Sequence, residues 1–170
     1  TSFGFQDYAL EAAKENPEIQ FVQLTGSTAL SAGQENFHNA FADIYEGRYL
    51  AGIVAGLKAK EIGNPHLGYV GAFPYAEVIS GYTAFYLGAK SVYPEVTMDV
   101  IYTNEWNHAD KEAKAAQSLI DRGCGVISQH SDSTSPATTA EQNGAFQVGY
   151  NADMTDAAPG ASLISPRIDW

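Results

Sequence analysis

The residues best equipped for chemistry in this 170-residue chain fall in four short segments, not in one motif. Gln129-His130-Ser131-Asp132-Ser133 carries an imidazole, a carboxylate and two hydroxyls, with Ser128 just before it. Such groups could support nucleophilic or metal chemistry. Adjacent residues of one loop rarely converge as a triad, however, and a lone His-x-Asp is a sparse metal set. The segment therefore reads first as a hydrogen-bonding loop for a polar ligand. Trp106 stands between Glu105 and Asn107, polar company for the largest apolar side chain. It reads either as a stacking platform for a planar ligand or as a loop anchor. Phe73 offers the same choice between stacking and core packing. Asn151 can donate and accept, which suits a heterocycle edge, whereas Asp153 only accepts when ionised. The triplet Asn151-Ala152-Asp153 could equally form an Asx turn.

Other chemistries find no support. Gly68-Tyr69-Val70-Gly71 lies within an apolar run and lacks the third glycine and strand-to-helix context of a dinucleotide loop. There is no Walker sequence, nucleophile elbow or His-x-x-x-His, so no cofactor or metal is expected. One cysteine, Cys124, excludes an internal disulfide and any multi-cysteine zinc site, and it reads as a small core residue. The count of 9 Lys+Arg against 20 Asp+Glu gives a net charge of −11 and argues against nucleic acid or an anionic lipid surface. His38, His66 and His108 read as surface or capping groups. The Glu46/Arg48 pair reads as a solvated helix face.

The elements that must position these residues alternate between strand and helix. Asp7 to Asn16 predicts a helix ended by Pro17, and Ile19 to Leu24 a strand. Gly26 to Glu35 reads as a loop. The apolar spacing from Phe37 through Leu57 predicts one long helix over about 36–60, whose glycines at 47, 52 and 56 would allow close packing against a sheet. Gly63-Asn64-Pro65 is the clearest break. Strands are expected at 67–72, 97–102, 125–128, 145–149 and 162–164, with helices at about 78–89, 110–122 and 135–143 between them. This repetition implies an α/β fold with parallel pairing through right-handed crossovers. Ligands of such sheets sit beyond the carboxyl ends of the strands, where Phe73, Trp106, His130, Asp132, Asn151 and Asp153 all fall.

Five strings carry a resemblance, in order along the whole chain. They are Ser2-Phe3-Gly4-Phe5, Tyr45-Glu46-Gly47-Arg48-Tyr49-Leu50-Ala51-Gly52, Gly68-Tyr69-Val70-Gly71-Ala72-Phe73-Pro74, Gln129-His130-Ser131-Asp132-Ser133 and Gly149-Tyr150-Asn151-Ala152-Asp153-Met154. Together the sequence resembles the basic membrane protein (BMP) family, the purine- and nucleoside-binding proteins of ABC-type importers.

The resemblance implies a two-lobed type I periplasmic-binding fold, parallel sheets flanked by helices. Residues 1–63 would be part of lobe one and 66–170 most of lobe two, in a fragment that lacks both ends. It also implies an extracytoplasmic protein serving an ABC permease, held to the membrane only by a lipid anchor outside this segment, which itself carries no signal peptide. Trp106 falls where the family stacks an aromatic on the base. Asn151 stands where nucleoside-binding members carry an aspartate for the ribose, and Ile168 where they carry a lysine. Losing both favours a free purine base such as adenine over a nucleoside. The implied ligand set is Trp106, Phe73, Asn151, Asp132, His130, Asp153 and Phe3, without catalysis. Two other functions fit the residues: a small-molecule α/β enzyme using His130 and Asp132, and a ligand-sensing lobe of a regulatory protein.

Overall fold

A computed structural model describes residues 3–168, with the side chain of Phe3 outside the described set. The chain divides into two compact units, Thr1–Asp43 and Ile44–Trp170.

In the first unit a 3₁₀ turn at Phe3–Phe5 leads into α1 (Gln6–Glu15), then β1 (Phe21–Leu24), a one-turn α2 (Ala29–Ala32) and β2 (Phe37–Ala40). β1 and β2 pair in parallel, Phe21 opposite Phe37. Buried Asn36 ties the unit together, its amide donating to the carbonyls of Ala13, Asn16 and Ile19 at 2.9, 2.9 and 2.8 Å. β2 and α2 both correct the sequence reading. The expected helix from about residue 36 is a strand over its first residues, because Phe37 enters the sheet register while Phe41 stays exposed. A few apolar residues cannot distinguish a period of 3.6 from one of 2.

The second unit opens with α3 (Ile44–Glu61) and continues β3 (His66–Gly71), α4 (Ala76–Val92), β4 (Thr97–Tyr102), α5 (Ala109–Asp121), β5 (Val126–His130), α6 (Ser135–Gln142), β6 (Phe146–Val148) and β7 (Ser162–Ile164). Its five strands pair in parallel in the order β4-β3-β5-β6-β7. The compact unit takes in α3, which the break at Gly63–Pro65 would assign to the first lobe. The cause is its packing on α4 as well as on the sheet. A methyl group at Gly52 would lie 2.0 Å from the Phe85 carbonyl oxygen, and one at Gly88 2.0 Å from the Tyr49 carbonyl oxygen. The two helix backbones therefore touch where side chains would hold them apart.

Two helical layers cover the sheet. Ala51, Ala55 and Ala59 of α3 with Phe85 and Ala89 of α4 pack on Leu67, Tyr69, Val126 and Val148. On the other face Ala115, Ala116 and Leu119 of α5 pack on Val70 and Ile127, with α6 alongside. Cys124 is buried in that second cluster, as expected of a small core residue. Since β3 feeds α4 on one face while neighbouring β5 feeds α6 on the other, the chain reverses direction between the ends of β3 and β5. Crevices in open parallel sheets form at such a point. Among the described residues no helix is long and apolar enough to cross a membrane.

Candidate functional site

The carboxyl ends of β3, β4, β5 and β6 bring the expected segments together, and with them an aromatic wall. Phe73 stacks on Tyr75, ring centres 5.0 Å apart and planes 10° apart. Trp106 lies 5.7 Å from Phe73 and 6.3 Å from the His130 ring. His130 continues the line to Tyr150 at 4.3 Å. Phe73 and Trp106 are partly buried, leaving ring surface for a ligand, whereas His130 and Tyr150 are buried. His130 is also the last residue of β5, paired with Gly71, not part of the loop beyond it.

A polar scaffold holds the wall. The Asp132 backbone N–H donates to the Trp106 carbonyl at 2.7 Å, joining the two segments that follow β4 and β5. Glu112 of α5, fully buried, joins them again: its carboxylate accepts from the His108 N–H at 2.8 Å and from the Ser133 N–H and hydroxyl at 3.2 and 2.7 Å. Gln129 donates to the carbonyls of Ser131 and Ser133 and accepts from Gln147. Buried polar groups satisfied in this way fix backbone that would otherwise wander.

Behind the wall sits Arg48 of α3. It is fully buried, its guanidinium 4.2 Å from the Tyr150 ring centre and 5.7 Å from that of Tyr69. None of its three side-chain nitrogens has a hydrogen-bond partner among the described residues. This corrects the reading of Arg48 as part of a solvated pair. Burial lowers the His130 pKa to about 4, helped by the Arg48 charge and opposed by Glu77, whose carboxylate is 3.8 Å from Nε2. The imidazole is thus neutral at pH 7, with its Nδ1 3.5 Å from the Tyr69 hydroxyl. Burial likewise pushes the Tyr69 phenol up to about 12. His130 Nε2 and the hydroxyls of Ser128 and Ser131 keep unspent hydrogen-bonding capacity among the described residues.

The remaining expected residues lie at the rim. Asp132 is exposed, and its carboxyl is held above the usual range by partial desolvation and by the Glu112 and Glu77 charges. Asn151 is exposed in the left-handed region at φ 58°, its N–H donating to the Pro166 carbonyl at 2.9 Å. The Asp153 carboxylate accepts from the N–H and hydroxyl of Thr155 at 2.9 and 2.6 Å, an Asx turn. The Phe3 side chain lies outside the described residues. Sequence reasoning missed Arg48, Tyr75, Glu112 and Tyr150. Tyr75 had a usable signal, since it follows Phe73 by two residues in a strand-end segment.

An arrangement of partly buried rings beside neutral donors and acceptors can hold a flat, polar-edged molecule. Residues 1–168 match the Bmp family model, described as "ABC transporter substrate-binding protein PnrA-like". A purine-binding protein of Brucella abortus is 37% identical over 170 residues, covering 100% of this chain and 47% of that protein. A Haloferax volcanii protein named as an ABC transporter glucose-binding protein is 39% identical over 170 residues, covering 100% of this chain and 42% of its own length. The chain thus spans about half the length of these relatives. In fold it is similar to a solved ABC transporter solute-binding protein of Aeropyrum pernix, with a TM-score of 0.78 at 18% identity over 96% of this chain and 48% of that one.

Proposed function

The chain belongs to the Bmp family of PnrA-like ABC transporter substrate-binding proteins, and from that premise we propose that it carries the ligand-gripping wall of an importer's binding protein for a purine-type ring. The aromatic wall from Tyr75 through Phe73 and Trp106 to His130 is the observation that carries this reading. A purine stacks on Trp106 and Phe73, and its polar edge meets Asn151 or Asp132 at the exposed rim. Stacking of a base on an aromatic side chain contributes about 1–3 kcal/mol, and a neutral edge needs no counter-charge. Neutral His130, buried beside Trp106, backs this surface without adding a charge. The chain supplies part of lobe one, residues 1–63, and most of lobe two, residues 66–170, of a binding protein that hands its ligand to a permease. The protein works outside the cytoplasm.

Adenine is favoured over a nucleoside, because Asn151 stands where the resemblance places a ribose-binding aspartate. A second reading has its own support: the Haloferax relative's name, together with an aromatic wall that would also stack on a pyranose. Calorimetric titration of the whole protein with adenine, adenosine, guanosine and glucose separates them. Saturable binding of adenine, weaker with the others, is expected. Tighter binding of a nucleoside overturns the preference, and binding of glucose alone overturns the purine reading. Recovery of the ligand intact after denaturation is expected of a binding protein, and its conversion would instead support the His130/Asp132 enzyme.

A further inference from the structure

We propose that His66, Asp99 and Cys124 form a binding site for a borderline-soft divalent cation of the Zn2+ class, at the end of the sheet opposite the aromatic wall. His66 opens β3, Asp99 is the third residue of β4, and Cys124 stands just before β5. These strands are neighbours in the order β4-β3-β5, so three residues far apart in sequence meet at the amino-terminal strand ends. One imidazole nitrogen, one carboxylate oxygen and the thiol sulfur all lie within 4.8 Å of one another. A tetrahedral zinc site with bonds of about 2.0–2.3 Å keeps its ligands roughly 3.2–3.8 Å apart. His66 Nε2 and Asp99 Oδ1, at 3.6 Å, already stand at that spacing.

The surroundings suit a bound ion. The His66 and Asp99 side chains are 27% and 37% exposed, so a cation can enter from solvent and water can complete its coordination. Cys124 closes the inner side, its thiol donating to the Leu67 carbonyl at 3.3 Å. The other oxygen of Asp99, Oδ2, lies 3.4 Å from Arg122 Nη1. That contact holds the carboxylate with Oδ1 toward His66, the orienting role that outer-shell partners play around metals. On coordination the metal replaces the thiol proton, which passes to solvent, and the thiolate with a carboxylate then cancels a dication beside the apolar α5 cluster. A sulfur, nitrogen and oxygen set selects zinc-like ions over magnesium or calcium. No spacing motif announces the site, because His66 and Asp99 come from different strands and Cys124 from the segment before a third.

The test uses the purified chain, stripped by a chelator and titrated with Zn2+ in a calorimeter and with Co2+ in a spectrophotometer. One equivalent of either ion should bind, and cobalt should bring a near-ultraviolet thiolate charge-transfer band. Cys124→Ala should abolish that band and weaken zinc by about tenfold or more, as should Asp99→Asn, a change at a partly exposed carboxylate that leaves the fold intact. Absence of saturable one-equivalent binding overturns the proposal. So does a cobalt complex without the thiolate band, or zinc affinity that survives either substitution.

Discussion

Acidification from pH 7 to pH 5 should destabilise the second unit through His130. Its native pKa is about 4, against about 6.5 for an unperturbed histidine. Between those values the unfolded chain takes up a proton that the native chain refuses, so stability falls as pH falls. The full difference corresponds to about 3 kcal/mol, of which about 2 kcal/mol is lost between pH 7 and pH 5. The groups facing the imidazole are Arg48 from α3, Glu77 from α4, Tyr69 from β3 and Tyr150 after β6. Desolvation and Arg48 lower the value while Glu77 raises it. Urea unfolding of the wild type and His130→Gln at both pH values isolates the effect: the variant should lack about 2 kcal/mol of the wild-type loss. Arg48→Met, which removes the nearby cation, should raise the His130 pKa read by NMR and shrink the loss. Equal pH dependence in wild type and His130→Gln, or a native imidazole titrating near 6.5, would refute the reasoning.

Gly52→Ala should cost at least about 2 kcal/mol in thermal unfolding, because its methyl would lie 2.0 Å from the Phe85 carbonyl oxygen and force α3 off α4. An unchanged melting temperature would mean that the two helices are not in backbone contact. Glu112→Ala removes the acceptor of three hydrogen bonds from His108 and Ser133 and should cost about 2–3 kcal/mol. Hydrogen exchange should then quicken selectively at residues 105–108 and 131–133, and a uniform change would deny Glu112 its role in joining those segments.

The sheet of the second unit was legible in the sequence because its strands are short, apolar and punctuated. β4 and β7 have the bounds read from residue pattern alone, and the helix expected over 110–122 is α5, Ala109–Asp121. β2 was not legible, since Phe37 lies one helical turn from Phe41 and the evidence for its strand is a partner in β1. Of the site, Phe73 and Trp106 stood out as aromatics in polar company at strand ends, and His130 as a histidine beside serines. Arg48 did not, because a charged residue on a helix is ordinarily solvated and only the packing of α3 on the sheet buries it. Tyr150 and Glu112 were hidden for the same reason. Their roles depend on which segments the fold brings together, and local pattern does not record that.

The central claim is that the aromatic wall at the strand ends is the ligand platform. The dissociation constant of adenine for the whole protein and its Trp106→Ala variant, measured by equilibrium dialysis, tests this most directly. Trp106 is partly exposed at its strand end and its removal leaves both helical layers untouched. Loss of one stacking face worth about 1–3 kcal/mol should weaken binding by about 5- to 150-fold. A dissociation constant unchanged by the substitution would place the ligand elsewhere and contradict the account.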